Sequence, residues 1–128
     1  MILDTSVIVA LLIREPGYEA LERKVRKAGA VAVGSPTLLE TAMVMIGVTG
    51  EGGRAVVDRF RADLDIAVIP FGARHGQVAT DAFLRFGKGR HPAALNILDC
   101  MTYATARVAD ESLLFTGNDF AQTDIQAA

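Results

Sequence analysis

Four carboxylates stand where a carboxylate needs a reason. Asp4 directly follows the apolar run Met1–Leu3, and Asp119 closes the turn Thr116-Gly117-Asn118-Asp119 after the apolar run Leu113–Phe115. Glu40 lies in Thr37-Leu38-Leu39-Glu40-Thr41-Ala42-Met43-Val44, whose other members are apolar or threonine. Asp99 lies in the apolar stretch Leu95–Ala104, with Asn96 and Thr102 three positions to either side. On a helix that spacing makes one polar stripe. Neither the Glu40 nor the Asp99 segment holds a lysine or arginine to pair with its acid.

An ionised carboxylate taken out of water costs several kcal/mol unless it is paired or bound to metal. If the four acids converge, they also repel one another, and a hard divalent cation with oxygen ligands removes that repulsion. Mg²⁺ suits such a site because it binds through one or two carboxylates, keeps waters and takes phosphate oxygens; Mn²⁺ is the alternative. The chemistry would be metal-assisted cleavage of a phosphodiester. Each acid also has a plain structural reading. Asp4 and Asp119 suit helix caps, and Glu40 suits a capping box with Thr37. Asp99, read as mid-helix among apolar neighbours, has no such role.

These acids need a frame. The chain reads as short apolar strands separated by helices. Strands are expected at Met1–Leu3, Val31–Val33, Ile66–Ile69 and Leu113–Phe115. Helices are expected over Val7–Ile13 (capped by Thr5-Ser6), Tyr18–Lys27, Ser35-Pro36 to about Gly47, Arg54–Leu64, Ala73–Phe86 and Leu95–Val108. That alternation predicts an α/β fold, an α/β/α sandwich with a mostly parallel central sheet. Ligands in such sheets bind beyond the carboxyl ends of the strands. If the first and last strands are neighbours, Asp4 and Asp119 share one sheet edge.

Size and composition set bounds. With 128 residues the chain makes one domain, 1–128, and needs no disulfide to fold. Cys100, the single cysteine, reads as a small buried hydrophobe in a reducing compartment. No run approaches a membrane helix, and no basic region precedes the N-terminal apolar residues, so the cytoplasm is the expected location. A net charge of −2 excludes binding nucleic acid by bulk charge. The chain is 51% hydrophobic with mean hydropathy +0.31, so part of its apolar surface is expected to be covered by a partner or a second copy.

The basic residues Arg85, Lys88 and Arg90, around Gly87 and Gly89, form a candidate phosphate-contacting rim on a mobile loop beside the Asp99 helix; the competing reading is a solvated charged loop. Lys24, Arg26 and Lys27 read as a solvated helix face with Glu19 and Glu22. His75 and His91 have no metal-ligand partner at useful spacing, and His91 is either a contact to a phosphate-bearing substrate or an exposed loop residue. Met43 and Met45, with the apolar first helix, read as core or partner-facing.

The same segments resemble the PIN-domain family, and within it the VapC-type toxins. Met1–Leu11 is similar to the family's opening, Leu38-Leu39-Glu40-Thr41 to its second motif, and Gly87–Asn96 with Asp99-Cys100 and Tyr103-Ala104 to its third. Leu114–Phe120 with Thr123-Asp124-Ile125 is similar to the fourth. The resemblance runs from residue 1 to about 125. It implies a Mg²⁺- or Mn²⁺-dependent endoribonuclease, a homodimer, and neutralisation by a VapB-like antitoxin. It makes Asp4, Glu40, Asp99 and Asp119 the acidic metal-site residues. Ser6 and Thr116 match hydroxyl positions beside the metal site, Asn118 matches a position that is acidic in some relatives, and Asp124 is an outlying candidate. Leu98 stands where such relatives often have glycine, which would bear on substrate access.

Competing readings are weaker. A haloacid-dehalogenase-type phosphatase wants a second acid where Ser6 stands and a later lysine. A receiver-like domain wants a lysine after its last strand. A degenerate PIN domain that binds RNA or a protein without cutting conflicts with the presence of all four acids.

Overall fold

A computed structural model describes residues 1–128. Four strands, β1 (Ile2–Leu3), β2 (Ala32–Gly34), β3 (Ala67–Ile69) and β4 (Leu113–Leu114), form one sheet in the order β3-β2-β1-β4. All the pairings are parallel, with Ile2 opposite Leu113 and Leu3 opposite Leu114. The helices are α1 (Thr5–Ile13), α2 (Tyr18–Lys27), α3 (Ser35–Thr49), α4 (Gly53–Asp63), α5 (Ala73–Phe86) and α6 (Ile97–Ala109), with a 3-10 turn at Phe120–Gln122. The expected α/β/α sandwich is what forms.

Successive strand residues point to opposite faces, and the two cores show it. Ile2 and Leu113 pack on one side with Ala82 and Phe86 of α5 and Cys100, Tyr103 and Ala106 of α6. Leu3, Val33 and Leu114 pack on the other with Val7 and Ile8 of α1 and Val25 of α2. Both faces are covered, which is why the two-residue apolar β1 suffices in the centre. Burying a side chain such as Leu3 or Leu114 contributes about 1.5–3 kcal/mol.

The strand order has a functional consequence. The chain leaves β1 towards β2 and β3 on one side, while β4 returns on the other. The switch point therefore lies beyond the carboxyl ends of β1 and β4, where a parallel sheet opens a crevice.

Several boundaries differ from expectation. Asp4, rather than Thr5 or Ser6, is the N-cap of α1. Gly34, rather than Ser35, precedes α3, with Pro36 in its first turn; the Ser35 hydroxyl instead accepts a bond from the Phe71 amide at 3.2 Å. A Cβ on Gly34 would stand 2.7 Å from Thr105 Oγ1, so this strand-to-helix junction takes glycine to let α6 approach. Helix α6 starts at Ile97, two residues later than its apolar pattern suggests. Ala93 and Leu95 are buried ahead of it, held by Leu95 N to Phe86 O and Lys88 N to Leu95 O, both 3.0 Å.

Candidate active site

Asp4, Glu40, Asp99 and Asp119 line one open cleft of about 390 Å³ at the switch point. Their positions come from four different elements. Asp4 caps α1 straight after β1: its Oδ2 accepts from Ser6 N at 3.0 Å and Ser6 Oγ at 2.5 Å. The plain reading of Asp4 as a cap therefore holds, and the same side chain lines the cleft. Glu40 projects from α3, and its Oε2 accepts from Thr5 Oγ1 at 2.7 Å. Asp119 follows β4 across a turn whose Gly117 has φ +81°, a conformation that favours glycine. Asp119 precedes the 3-10 turn but makes no side-chain cap bond.

Asp99 corrects the sequence reading. It is not mid-helix. It occupies the third position of α6 in a capping box, where Asn96 Oδ1 accepts from Asp99 N at 2.9 Å and Asp99 Oδ2 accepts from Asn96 N at 2.8 Å. Leu95 belongs to the core ahead of the helix, so the apolar period starts early and hides the cap. Thr102, one turn beyond Asp99, is buried and bonds Thr37 of α3 at 2.7 Å. The anticipated capping box of Thr37 with Glu40 does not form either, because α3 starts two residues earlier.

A common pattern runs through three of these acids. Each has one oxygen tied by local donors, Oδ2 in Asp4, Oε2 in Glu40 and Oδ2 in Asp99, while Asp4 Oδ1, Glu40 Oε1 and Asp99 Oδ1 have no bond within the protein. The tie orients the carboxylate and leaves the second oxygen without a partner in the protein. Desolvation pushes the Asp99 carboxyl up to about 6; the Asn96 amide pulls it down, and the charges of Asp4, Asp119 and Glu40 push it up again. None of the eleven lining residues is basic. No three histidine, cysteine, aspartate or glutamate side chains stand close enough together to grip an ion unaided. The donors are nonetheless hard oxygens, and the cleft has room for water and phosphate oxygens beside them. That combination fits an ion that keeps part of its hydration.

The hydroxyl candidates fall into place unequally. Ser6 Oγ bridges the two strand ends, donating to Asp4 Oδ2 and accepting from Thr116 N at 3.0 Å. Ser6 and Thr116 line the cleft; Asn118 is exposed and does not. Leu98 is half-buried and also absent from the lining, so it does not narrow the cleft. Sequence reading missed Thr5, Glu15, Val9, Val44 and Phe120, which complete the walls. Glu15 arrives through a left-handed turn at Arg14 (φ 54°), with Glu15 N bonded to Ala10 O at 2.9 Å. The signal was Pro16, which disfavours continued helix in the residue before it.

The basic candidates lie outside the cleft lining. Arg85 pairs with Asp124 at 2.8 Å and lies over the Phe86 ring. Asp124 Oδ1 also accepts from Tyr103 Oη at 2.6 Å, which with Arg85 holds this carboxyl below its usual range. Lys88 and Arg90 are exposed, and Arg90 lies over Phe83. Their loop is pinned by the Gly87–Leu95 bridge and by His91, whose Nδ1 accepts from Ala93 N and whose ring meets Phe86 edge-on. His91 is thus a packed residue, and His75 serves the start of α5, accepting from Gly72 N. Burial pushes the Cys100 thiol up to about 11, in keeping with an inert core residue. Met45 is buried, whereas Met43 is exposed, as are Leu39, Ile46 and Val48 of the same helix.

Comparison with known proteins agrees with this geometry. The PIN domain profile matches residues 1–126. Ribonuclease VapC36 of Mycobacterium tuberculosis is 42% identical over 127 residues, covering 98% of this chain and 91% of its own. Ribonuclease VapC of Mycolicibacterium smegmatis is 39% identical, covering 99% and 98%. Among solved structures, the sarcin-ricin loop cleaving toxin VapC20 of M. tuberculosis superposes with a TM-score of 0.80 at 17% identity, covering 99% of this chain and 97% of that one. VapBC2 of Rickettsia felis, solved with a promoter DNA fragment, gives 0.76 at 15% identity, covering 99% and 96%. With its parallel sheet, its acidic cleft and its profile match over nearly the whole length, this chain belongs to the PIN-domain family.

Proposed function

We propose that this protein is a metal-dependent endoribonuclease, the toxin of a type II toxin–antitoxin pair. The observation that carries the reading is the convergence of Asp4, Glu40, Asp99 and Asp119 on one cleft with no basic counter-charge in its lining. The VapC ribonucleases it resembles along nearly their full length support the same activity. Asp4, Asp99 and Asp119 would hold Mg²⁺ or Mn²⁺, and Glu40 would join them or orient a water. A bound divalent ion supplies charge stabilisation for the phosphate and lowers the pKa of water. Ser6 and Thr116 fix the two strand ends that carry Asp4 and Asp119. Phe120, Val9 and Val44 give the cleft an apolar wall, which strengthens the electrostatic interactions beside it. Lys88 and Arg90 remain the candidates for phosphate contacts; Arg85 would have to leave Asp124 to join them.

The partner is a VapB-like antitoxin, and the assembly includes a second copy of the chain. Support comes from the apolar side chains exposed on α3, α5 and α6, among them Leu39, Met43, Leu84 and Ile97. No helix is long and apolar enough to cross a membrane, and the proposed substrate places the protein in the cytoplasm.

The test is incubation of the purified chain, freed of any antitoxin, with total RNA and Mg²⁺ or Mn²⁺. Cleavage that EDTA stops is the expected result. A folded protein that leaves RNA intact with either ion would remove the reading.

A further inference from the structure

A seam of threonines runs between the helices that carry the acids. Thr37 of α3 and Thr102 of α6 are about 1% exposed, and their hydroxyl oxygens are 2.7 Å apart. Thr41, fully buried, donates to Thr37 O at 2.8 Å, and Thr5 at the start of α1 bonds Glu40. Residues three apart on a helix are neighbours one turn on. Thr37 precedes Glu40 by three, and Thr102 follows Asp99 by three. A single hydroxyl pair therefore lies one turn from an acid on each helix. The Gly34 junction shows how closely the two elements meet, since a Cβ there would collide with Thr105 of α6.

Packing alone does not call for this pair. Two valines would fill nearly the same space, and replacing both partners of a buried hydrogen bond by apolar groups of the same shape is close to neutral for stability. What valines lack is direction: a hydrogen bond weakens steeply when its geometry slips, whereas apolar contact tolerates sliding. We propose that Thr37 and Thr102 are positioning residues, whose hydroxyl pair sets the register of α3 against α6 and thereby the separation of Glu40 from Asp99. The inference rests on the proposed metal-dependent cleavage. A displacement of about 1 Å at reacting groups can cost about 100-fold in rate, so a partial slip predicts a smaller but clear loss.

The experiment compares wild type, T37V/T102V and T37S/T102S for RNA cleavage, for thermal midpoint and for Mn²⁺ affinity measured calorimetrically without RNA. The valine pair is expected to keep the midpoint within a few degrees, lower kcat about 10-fold with little change in KM, and weaken Mn²⁺ binding. The serine pair, which keeps both hydroxyls, restores kcat and affinity. A valine pair with wild-type kcat and Mn²⁺ affinity overturns the inference while leaving the nuclease reading intact. So does a serine pair as impaired as the valine pair, because the methyls rather than the hydroxyls would then matter. A wild type that neither binds Mn²⁺ nor cleaves RNA would remove the nuclease reading, and the inference with it.

Discussion

Two groups of ionisable side chains meet α6 one turn apart, and they are built on opposite rules. At Asp99, carboxylates from four elements gather with no basic residue in the lining, and burial holds the Asp99 carboxyl above its ordinary value. At Tyr103, a hydroxyl and the Arg85 guanidinium converge on Asp124 and hold its carboxyl below its ordinary value. The second group is complete in itself: every charge has its complement. The first has only neutral donors inside the protein, from Thr5, Ser6 and Asn96, and no charge to complement its acids. Opposite displacements of two aspartates on one structure thus distinguish a carboxylate tied by its partners from one held among other acids in a cleft, as the proposed ion site requires.

The sharpest way to break the comparison is Asp99→Asn. It removes a ligand charge and a source of repulsion at once. Cleavage is expected to fall by about 100-fold or more, while the thermal midpoint of the ion-free protein stays level or rises. Asp124→Ala should do the reverse. It leaves the buried Tyr103 hydroxyl and Arg85 without their acceptor, costing about 1–2 kcal/mol in denaturant unfolding, and leaves cleavage near the wild-type rate.

Divalent ions sharpen the contrast further. Mn²⁺ at about 100 times its dissociation constant should stabilise the wild type by about 2.7 kcal/mol, and Asp99→Asn should lose most of that gain in a thermal-shift titration. The pH dependence is smaller, and its sign follows from Asp99. Its folded value of about 6 lies above the ordinary 3.8, so the folded state binds the extra proton between them. That contribution to stability is complete at low pH and is lost as pH rises through about 6. Ion binding needs the deprotonated form, so Mn²⁺ affinity should climb over the same interval. Calorimetric titrations at pH 5 and 7 check the direction.

Much of the site was legible because it sits where strands end. Asp4 and Asp119 each follow an apolar run, and their convergence required only that β1 and β4 be neighbours, as they are. The α/β alternation carried the layers in the same way. What the sequence hid was set by packing between elements. Leu95 extends the apolar pattern of α6 backwards because it is buried as a loop residue, so Asp99 reads as mid-helix when it is the third residue of a capping box. Thr102 shares the stripe of Asp99, but its partner Thr37 lies 65 residues away in sequence. The Gly87–Pro92 segment has a loop's composition, yet it is pinned by a backbone bridge and an aromatic contact. Partners fixed only by tertiary packing leave no periodic trace.

The central claim is that the four acids form one ion-binding site for RNA cleavage. Crystals grown with Mn²⁺ and measured at its anomalous edge test it most directly. The account predicts one or more peaks in the cleft, bonded to Asp4, Asp99 or Asp119, and none in crystals of the inactive Asp99→Asn variant. Peaks confined to another surface, from a protein that still cleaves RNA with Mn²⁺, would contradict it.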